Sequence, residues 1–136
     1  VGVKVKHKST KALHKKAWDL QSIYIRRSAK GICFTCGTHK HWKDTDAGHY
    51  IHKKSMDFVL MNINCQCNRC NRFLHGNLGV YAERLIAEYG EDALMRLRRI
   101  EAERDKKPYK LTIQEYEDLI EYYTIRIKDL DERRIK

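Results

Sequence analysis

A chain of 136 residues with a formal net charge of +10 at pH 7 suits one domain with a modest core. A loop-rich half of such a chain would need a staple. No apolar run approaches a membrane span and no secretory signal is visible, while an opening Val rather than Met leaves upstream sequence open.

The placing of the charge says more than its size. Residues 1–54 hold 13 Lys/Arg against 3 Asp/Glu, and the remaining 82 residues hold 15 of each. Six of the seven His also lie in that first segment. Clustered cations displace counterions from phosphates, so the asymmetry points to DNA as partner; the plainer alternative is a solubilising basic face. Five Cys in an apparently intracellular chain favour metal over disulfides.

Residues 1–8 alternate apolar and basic, as a free arm or a short strand would. From a cap at Ser9 or Thr10, a basic helix is expected to reach about Ala29 and stop at Gly31, with Leu13, Ala17, Leu20 and Tyr24 on one face. Its Lys11, Lys15, Lys16, Arg26 and Arg27 are candidate phosphate contacts. Residues 31–78 are short and punctuated. A strand is expected around His49 in AGHYIHK, a second at Phe58–Met61, and a helix from about Asn68 carrying Asn71 and His75. Beyond it, helices are expected over about 78–88 and 91–105, then a break at Pro108. Thr112 and Glu115 form a capping-box pair for a last helix whose stripe is Tyr116, Leu119, Ile120, Tyr123, Ile127 and Leu130. That stripe either packs on the core or forms a dimer interface.

Cys33-Phe-Thr-Cys36-Gly and Cys67-Asn-Arg-Cys70 are separated by 30 residues. Each Cys-x-x-Cys turn presents two thiolates to one ion, and together they make a closed tetrahedral zinc site, structural because no position is left open. Cys65 has the wrong spacing and is expected as a core or partly buried thiol. His39 and His41 are expected in solvent, Trp18 and Trp42 in packing (Trp42 otherwise stacking on an unpaired base), and His52 on the face away from His49.

Between and after the cysteine pairs come Asp46, His49, Asn62, Asn71 and His75. Phosphodiester hydrolysis needs a base for water and a cation on the phosphate. Asn71 and His75, four apart, would share one face of a helix and one cation. Lys53 and Lys54 flank the site and are further candidate phosphate contacts. The order of cysteines, His, Asn, cysteines and Asn resembles a zinc-stapled HNH (His-Me finger) nuclease. That resemblance implies His49 as general base, Asn62 as organiser of the base loop, and Asn71 as ligand to a catalytic Mg²⁺ or Mn²⁺. Asp46 and His75 are additional candidate ligands. The acidic or His ligand that often precedes the base is replaced by Gly48.

The blocks CxxCG, DAGHY, NINCQCNRCN and GNLGVYAERLIAEYGEDAL more closely resemble the phage lambda NinG (Rap) recombination family, over about residues 31–101. A basic, Cys-containing N-terminal extension associated with the family is not seen in these residues, and His75 replaces a small polar residue. The resemblance implies cleavage of branched DNA (Holliday junctions, D-loops) with recombination proteins as partners, in the cytoplasm of a phage-infected or lysogenic bacterium. Symmetric junction cuts would suit a homodimer. The expected architecture is α+β: a basic arm and helix over 1–30, a zinc-bound ββα-metal (HNH-like) nuclease core over 31–78, and a helical region over 79–136. Two other functions fit the charge and the zinc: a non-catalytic DNA-binding module of recombination, and an HNH nuclease or nickase on unbranched DNA.

Overall fold

The computed structural model describes residues 9–135, and the alternating segment 1–8 lies outside the described residues. In chain order the elements are α1 (Thr10–Ser28), β1 (Thr45–His49), β2 (Ile63–Cys67), α2 (Leu78–Tyr89), α3 (Ala93–Arg104) and α4 (Ile113–Ile135). Helices thus surround one small antiparallel sheet, an α+β arrangement. Among the described residues, no helix is long and apolar enough to cross a membrane.

Helix α1 begins where Ser9, in extended backbone, accepts the Ala12 N–H on its hydroxyl at 3.2 Å. It ends as Lys30 and Gly31 turn left-handed, at φ +55° and +73°, and the Gly31 N–H returns to the Arg26 carbonyl. Gly31 has a second reason to lack a side chain: a Cβ there would lie 1.8 Å from the Lys40 carbonyl oxygen.

The strands pair antiparallel from Thr45↔Cys67 to His49↔Ile63. The second strand is therefore Ile63–Cys67, not the apolar run Phe58–Met61. That run is drawn into irregular turns because its side chains serve two cores: Val59 and Met61 pack beneath α2 and α3, and Phe58 packs between α1 and α4. In β2, Ile63, Cys65 and Cys67 share one face, while Asn64 and Gln66 occupy the other. Both polar residues are employed: Asn64 donates to Met61 O and Tyr81 Oη, and Gln66 to Thr35 Oγ1 and Gly76 O.

One core joins Ile51, Met56, Tyr81, Leu85, Ala93 and Leu97, so α2 and α3 close over the loop that follows β1. The other joins Leu13, Ala17 and Tyr116, with Leu119 and Ile120 against them, so the stripe of α4 packs along α1. The capping box forms as expected: Thr112 N–H donates to Glu115 Oε1 at 3.0 Å, and Glu115 N–H to Thr112 Oγ1 at 3.1 Å. Between the helices, the Tyr123 hydroxyl donates to fully buried Gln21, whose amide donates to the Asp57 carbonyl.

Gly31→Ala combines a left-handed backbone with a steric clash, and should cost about 2–4 kcal/mol in urea unfolding.

Candidate functional site

The sulfurs of Cys33, Cys36, Cys67 and Cys70 lie within 4.8 Å of one another, although the pairs are far apart in sequence. The first pair sits on a knuckle closed by the Gly37 N–H to Cys33 O and by Gly37 at φ +78°. The second pair joins the end of β2 to the turn after it. Cys36 and Cys67 Sγ are 3.6 Å apart, close to the about 3.8 Å edge of a tetrahedron with zinc–sulfur bonds near 2.3 Å. The N–H groups of Cys36 and Cys70 point at the sulfurs of Cys33 and Cys67, and the Asn77 amide points at Cys70 Sγ.

Burial opposes ionisation of Cys33, but hydrogen bonds from the Thr35 hydroxyl and nearby backbone outweigh it and hold the thiol down at about 6. A hydrogen bond with the Thr38 hydroxyl brings Cys36 below its ordinary value, while burial pushes Cys67 up to about 12. Negative charge is thus welcome at one side of the cluster and resisted at the other, a balance that a central cation would change by displacing the remaining protons. The four cysteines could hold a zinc ion. Cys65, buried with its thiol pushed up by that burial, is a core residue as expected.

His49 ends β1 at the opposite end of the hairpin from Cys67. Its ring stacks on Trp18 of α1, with centroids 4.9 Å apart and planes at 9°, and Nε2 is 2.7 Å from Asp57 Oδ1. His52 lies beside it, with ring centroids at 4.8 Å, instead of facing away. The strand stops at His49, so the alternation that would have turned His52 away does not continue. Asp57 and Trp18 are the parts of this site that sequence patterns missed; a single Asp in a loop and a single Trp on a helix carry no motif.

Asn62 is fully buried and staples that loop. Its Oδ1 accepts the Ile51 N–H at 2.7 Å, and its Nδ2 donates to Ile51 O and Met56 O. Tyr81 of α2 adds a second clamp, donating to the Gly48 carbonyl at 2.8 Å. Burial pushes the Tyr81 phenol far up, so it stays a neutral donor.

Alternation along β1 puts Asp46 and Gly48 on the face opposite His49. On that face Asn71 donates Nδ2 to Asp46 Oδ2 at 3.0 Å, and Arg72 forms a two-pronged ion pair with both oxygens of Asp46. His49 therefore faces α1, on the side of the strand away from Asn71. Asp46 is occupied by Arg72 and Asn71, which gives it the task of orienting the Asn71 amide. Asn71 Oδ1 lies 3.0 Å from the point where a Gly48 Cβ would stand, and Gln66 Oε1 lies 1.9 Å from that point. Gln66 Oε1 is buried and has no hydrogen-bond partner.

The expected helix from Asn68 is instead a π-helical turn, Arg69–Phe73, closed by Leu74 N–H to Arg69 O. His75 follows it in left-handed backbone at φ +51°, exposed. The shared helical face that made His75 a partner of Asn71 does not exist, so the geometric case for His75 as a metal ligand falls away.

The basic candidates divide into two groups. Lys11, Lys16 and Lys54 are exposed and form no ion pair among the described residues. Lys15 pairs with Asp19, Arg27 with Asp131 of α4, and Lys53 with Glu101 and Asp105 of the α3 end. Arg26 donates to the Trp42 and Thr45 carbonyls, and its guanidinium lies 5.2 Å from the centroid of the Trp42 ring. Arg26 and Arg27 therefore tie α1 to its neighbours.

A tetracysteine cluster clasping a two-stranded hairpin, with helices packed on both sides, is the class that fold and site define. The family described as "Bacteriophage Lambda NinG protein" matches residues 2–133, and the chain belongs to this family. Among curated relatives, Protein ninG of Escherichia phage lambda is 31% identical over 126 residues, covering 88% of this chain and 58% of that protein. Protein ninG of Salmonella phage P22 is 32% identical with the same coverage, and that of Escherichia phage 933W is 30% identical over 88% of this chain and 59% of that protein. The chain thus spans somewhat under three fifths of the length of the curated relatives it matches. No solved structure matches it.

Purified protein should carry about one zinc per chain by elemental mass spectrometry. Cys70→Ser should lose the metal and melt far below wild type, whereas Cys65→Ser should keep it. Asn62→Ala strands the Ile51 N–H and should cost about 2–4 kcal/mol in urea unfolding.

Proposed function

We propose that the chain is a metal-dependent DNA endonuclease of the HNH type, with a structural zinc on Cys33, Cys36, Cys67 and Cys70, cutting branched DNA in phage recombination. The observation that carries this reading is the state of His49. Its Nε2 is taken by Asp57 and its ring is held against Trp18, while Nδ1 has no hydrogen-bond partner among the described residues. An imidazole held in this way accepts a proton at Nδ1, as a general base for water must.

The groups across the strand suit a divalent ion such as Mg²⁺ or Mn²⁺. Hard cations prefer oxygen, and two amide oxygens, from Asn71 and from Gln66, crowd the same side of Gly48. The Gln66 oxygen is buried without a donor, the condition a cation relieves. When bound there, such an ion would supply charge for a phosphate and its departing 3′ oxygen on that face of β1, while His49 stands at the strand's end on the other face. Asp46 and Arg72 hold Asn71 in the orientation that turns Oδ1 inward, and Asn62 and Tyr81 fix the backbone on either side of His49. The exposed Lys11, Lys16 and Lys54 would neutralise backbone phosphates without reading bases.

The preference for Holliday junctions and D-loops rests on membership in the NinG family and on its resemblance to recombination nucleases. Work inside the bacterial host, a two-fold dimer for paired cuts, and recombination proteins as partners belong to the same proposal. A second reading, a zinc-stapled DNA-binding module without catalysis, accounts for the charge and the cysteines but gives no task to a half-buried His–Asp pair.

With Mg²⁺ or Mn²⁺, wild-type protein should cut end-labelled Holliday junction or D-loop DNA in preference to single strands and linear duplex. His49→Ala should bind the same DNA with unchanged affinity and cut it at least about 1000-fold more slowly. Equal cutting by that variant would remove His49 from the chemistry, and junction binding without cutting by wild type would favour the binding module.

A further inference from the structure

Asp57 belongs to no motif, yet two histidines from distant parts of the chain converge on it, one of them backed by a tyrosine. Oδ1 is 2.7 Å from His49 Nε2, and Oδ2 is 2.8 Å from Nε2 of His14 on α1. His14 Nδ1 is in turn 3.0 Å from the hydroxyl of Tyr116, on α4. The Asp57 and His49 side chains are only 15% and 13% exposed, and His14 is 16% exposed, so water does little to screen the chain of bonds. Gln21 fixes the Asp57 backbone from α1 and is itself held by Tyr123 of α4.

The protons along this chain can be assigned. A carboxylate only accepts, so both imidazoles that meet Asp57 must carry hydrogen on Nε2. A neutral His14 then has an acceptor at Nδ1, and Tyr116 donates its hydroxyl hydrogen there. By the same logic neutral His49 keeps its lone pair on Nδ1, the ring atom without a partner among the described residues. If His49 takes a proton from water, both of its nitrogens carry hydrogen, and the nearby negative carboxylate stabilises the cation that forms. Asp57 does this without touching substrate.

We propose that Asp57, seated by His14 and Tyr116, is the positioning residue that fixes the tautomer of His49 and stabilises its protonated form during DNA hydrolysis. The proposal rests on the nuclease reading and extends it. It makes α1 and α4 part of the reactive site, although the zinc loop contains neither. His52, whose ring also borders His49, is the other titratable group facing it, and Trp18 covers it from α1.

The test is kinetic and spectroscopic. In Asp57→Asn the amide offers a hydrogen where one of the two imidazoles already has one. With saturating junction DNA and Mg²⁺ or Mn²⁺, kcat should fall by about 100-fold or more, while KM and junction affinity stay within about twofold. Long-range ¹H–¹⁵N spectra of the imidazoles should show neutral wild-type His49 and His14 each as a single tautomer protonated on Nε2. The variant should show a mixture for His49. The wild-type spectrum tests the proposal even if Asp57→Asn fails to fold, since a His49 protonated on Nδ1 overturns it. Wild type that cuts, with Asp57→Asn cutting within about threefold of it, overturns this proposal and leaves the nuclease reading standing. Wild type that binds junctions without cutting them overturns both.

Discussion

The gathering of four sulfurs is the constraint on which the remaining structure depends. It closes a segment whose regular structure amounts to two five-residue strands, less than an isolated hairpin needs to persist in water. The cysteine end of the hairpin is fixed by Cys67, paired with Thr45, and by the knuckle before it. The other end, where His49 pairs with Ile63, lies about 13 Å away at the usual rise per strand residue. The four cysteines are too far away to hold that end. It depends instead on polar clamps, namely Asn62 on the Ile51 backbone and Tyr81 on the Gly48 carbonyl, and on the two helical layers that bury them. One end of the hairpin is therefore set by ligand chemistry and the other by packing.

This division explains what could be read from the sequence. Features carried by local chemistry were legible: the Ser9 cap, the break at Gly31, the Thr112–Glu115 box and the four cysteines all act over a few residues or at a fixed spacing. Asn62 is marked out only by resemblance, and its side chain bonds to the Ile51 and Met56 backbone. Features decided by distant partners were not legible. Phe58–Met61 has the composition of a strand, but its side chains are claimed by two separate cores. Ile63–Cys67 looks polar because its Asn and Gln are paid for by partners on other elements. The turn at Arg69–Phe73 adopts π-helical spacing, so the four-residue interval between Asn71 and His75 lost its helical meaning.

The basic surplus also changes character once partners are visible. Taken as a number, +10 concentrated in the first 54 residues suggests a broad electrostatic surface. Several of those cations are instead engaged: Arg27 with Asp131, Lys53 with two carboxylates, and Arg26 with two carbonyls. For Lys53, the hydrogen bonds to Asp105 and Glu101 hold the ammonium above its ordinary value, which favours keeping the charge where it is. Among the described residues, Lys11, Lys16, Lys30, Lys40, Lys43 and Lys54 of that segment are exposed and form no ion pair, so the surface available to the proposed phosphate contact is narrower than composition implies. Because α1 supplies Trp18 and His14 as well as Lys11 and Lys16, the helix proposed to contact DNA also holds the histidine.

That double use of α1 sets the size of the functional unit. A motif-based view would place the unit between the first and last cysteine, because the residues that resemble a nuclease lie there or just beyond. The hydrogen bonds place it differently. His49 leans on Asp57, Asp57 on His14 and Gln21, and these on Tyr116 and Tyr123, contacts that span 102 residues of sequence. A half-buried carboxylate between two imidazoles is tolerable only while each hydrogen bond is satisfied, since an unpaired group at this depth costs more than the bond it loses. Withdrawing α4 would leave His14 without Tyr116 and Gln21 without Tyr123, and so loosen the seat of Asp57 from behind. The four cysteines would still gather their own end of the hairpin. The end bearing His49 would keep its sequence and lose its geometry, so the α1–α4 pair is as much a part of the site as the strand on which His49 stands.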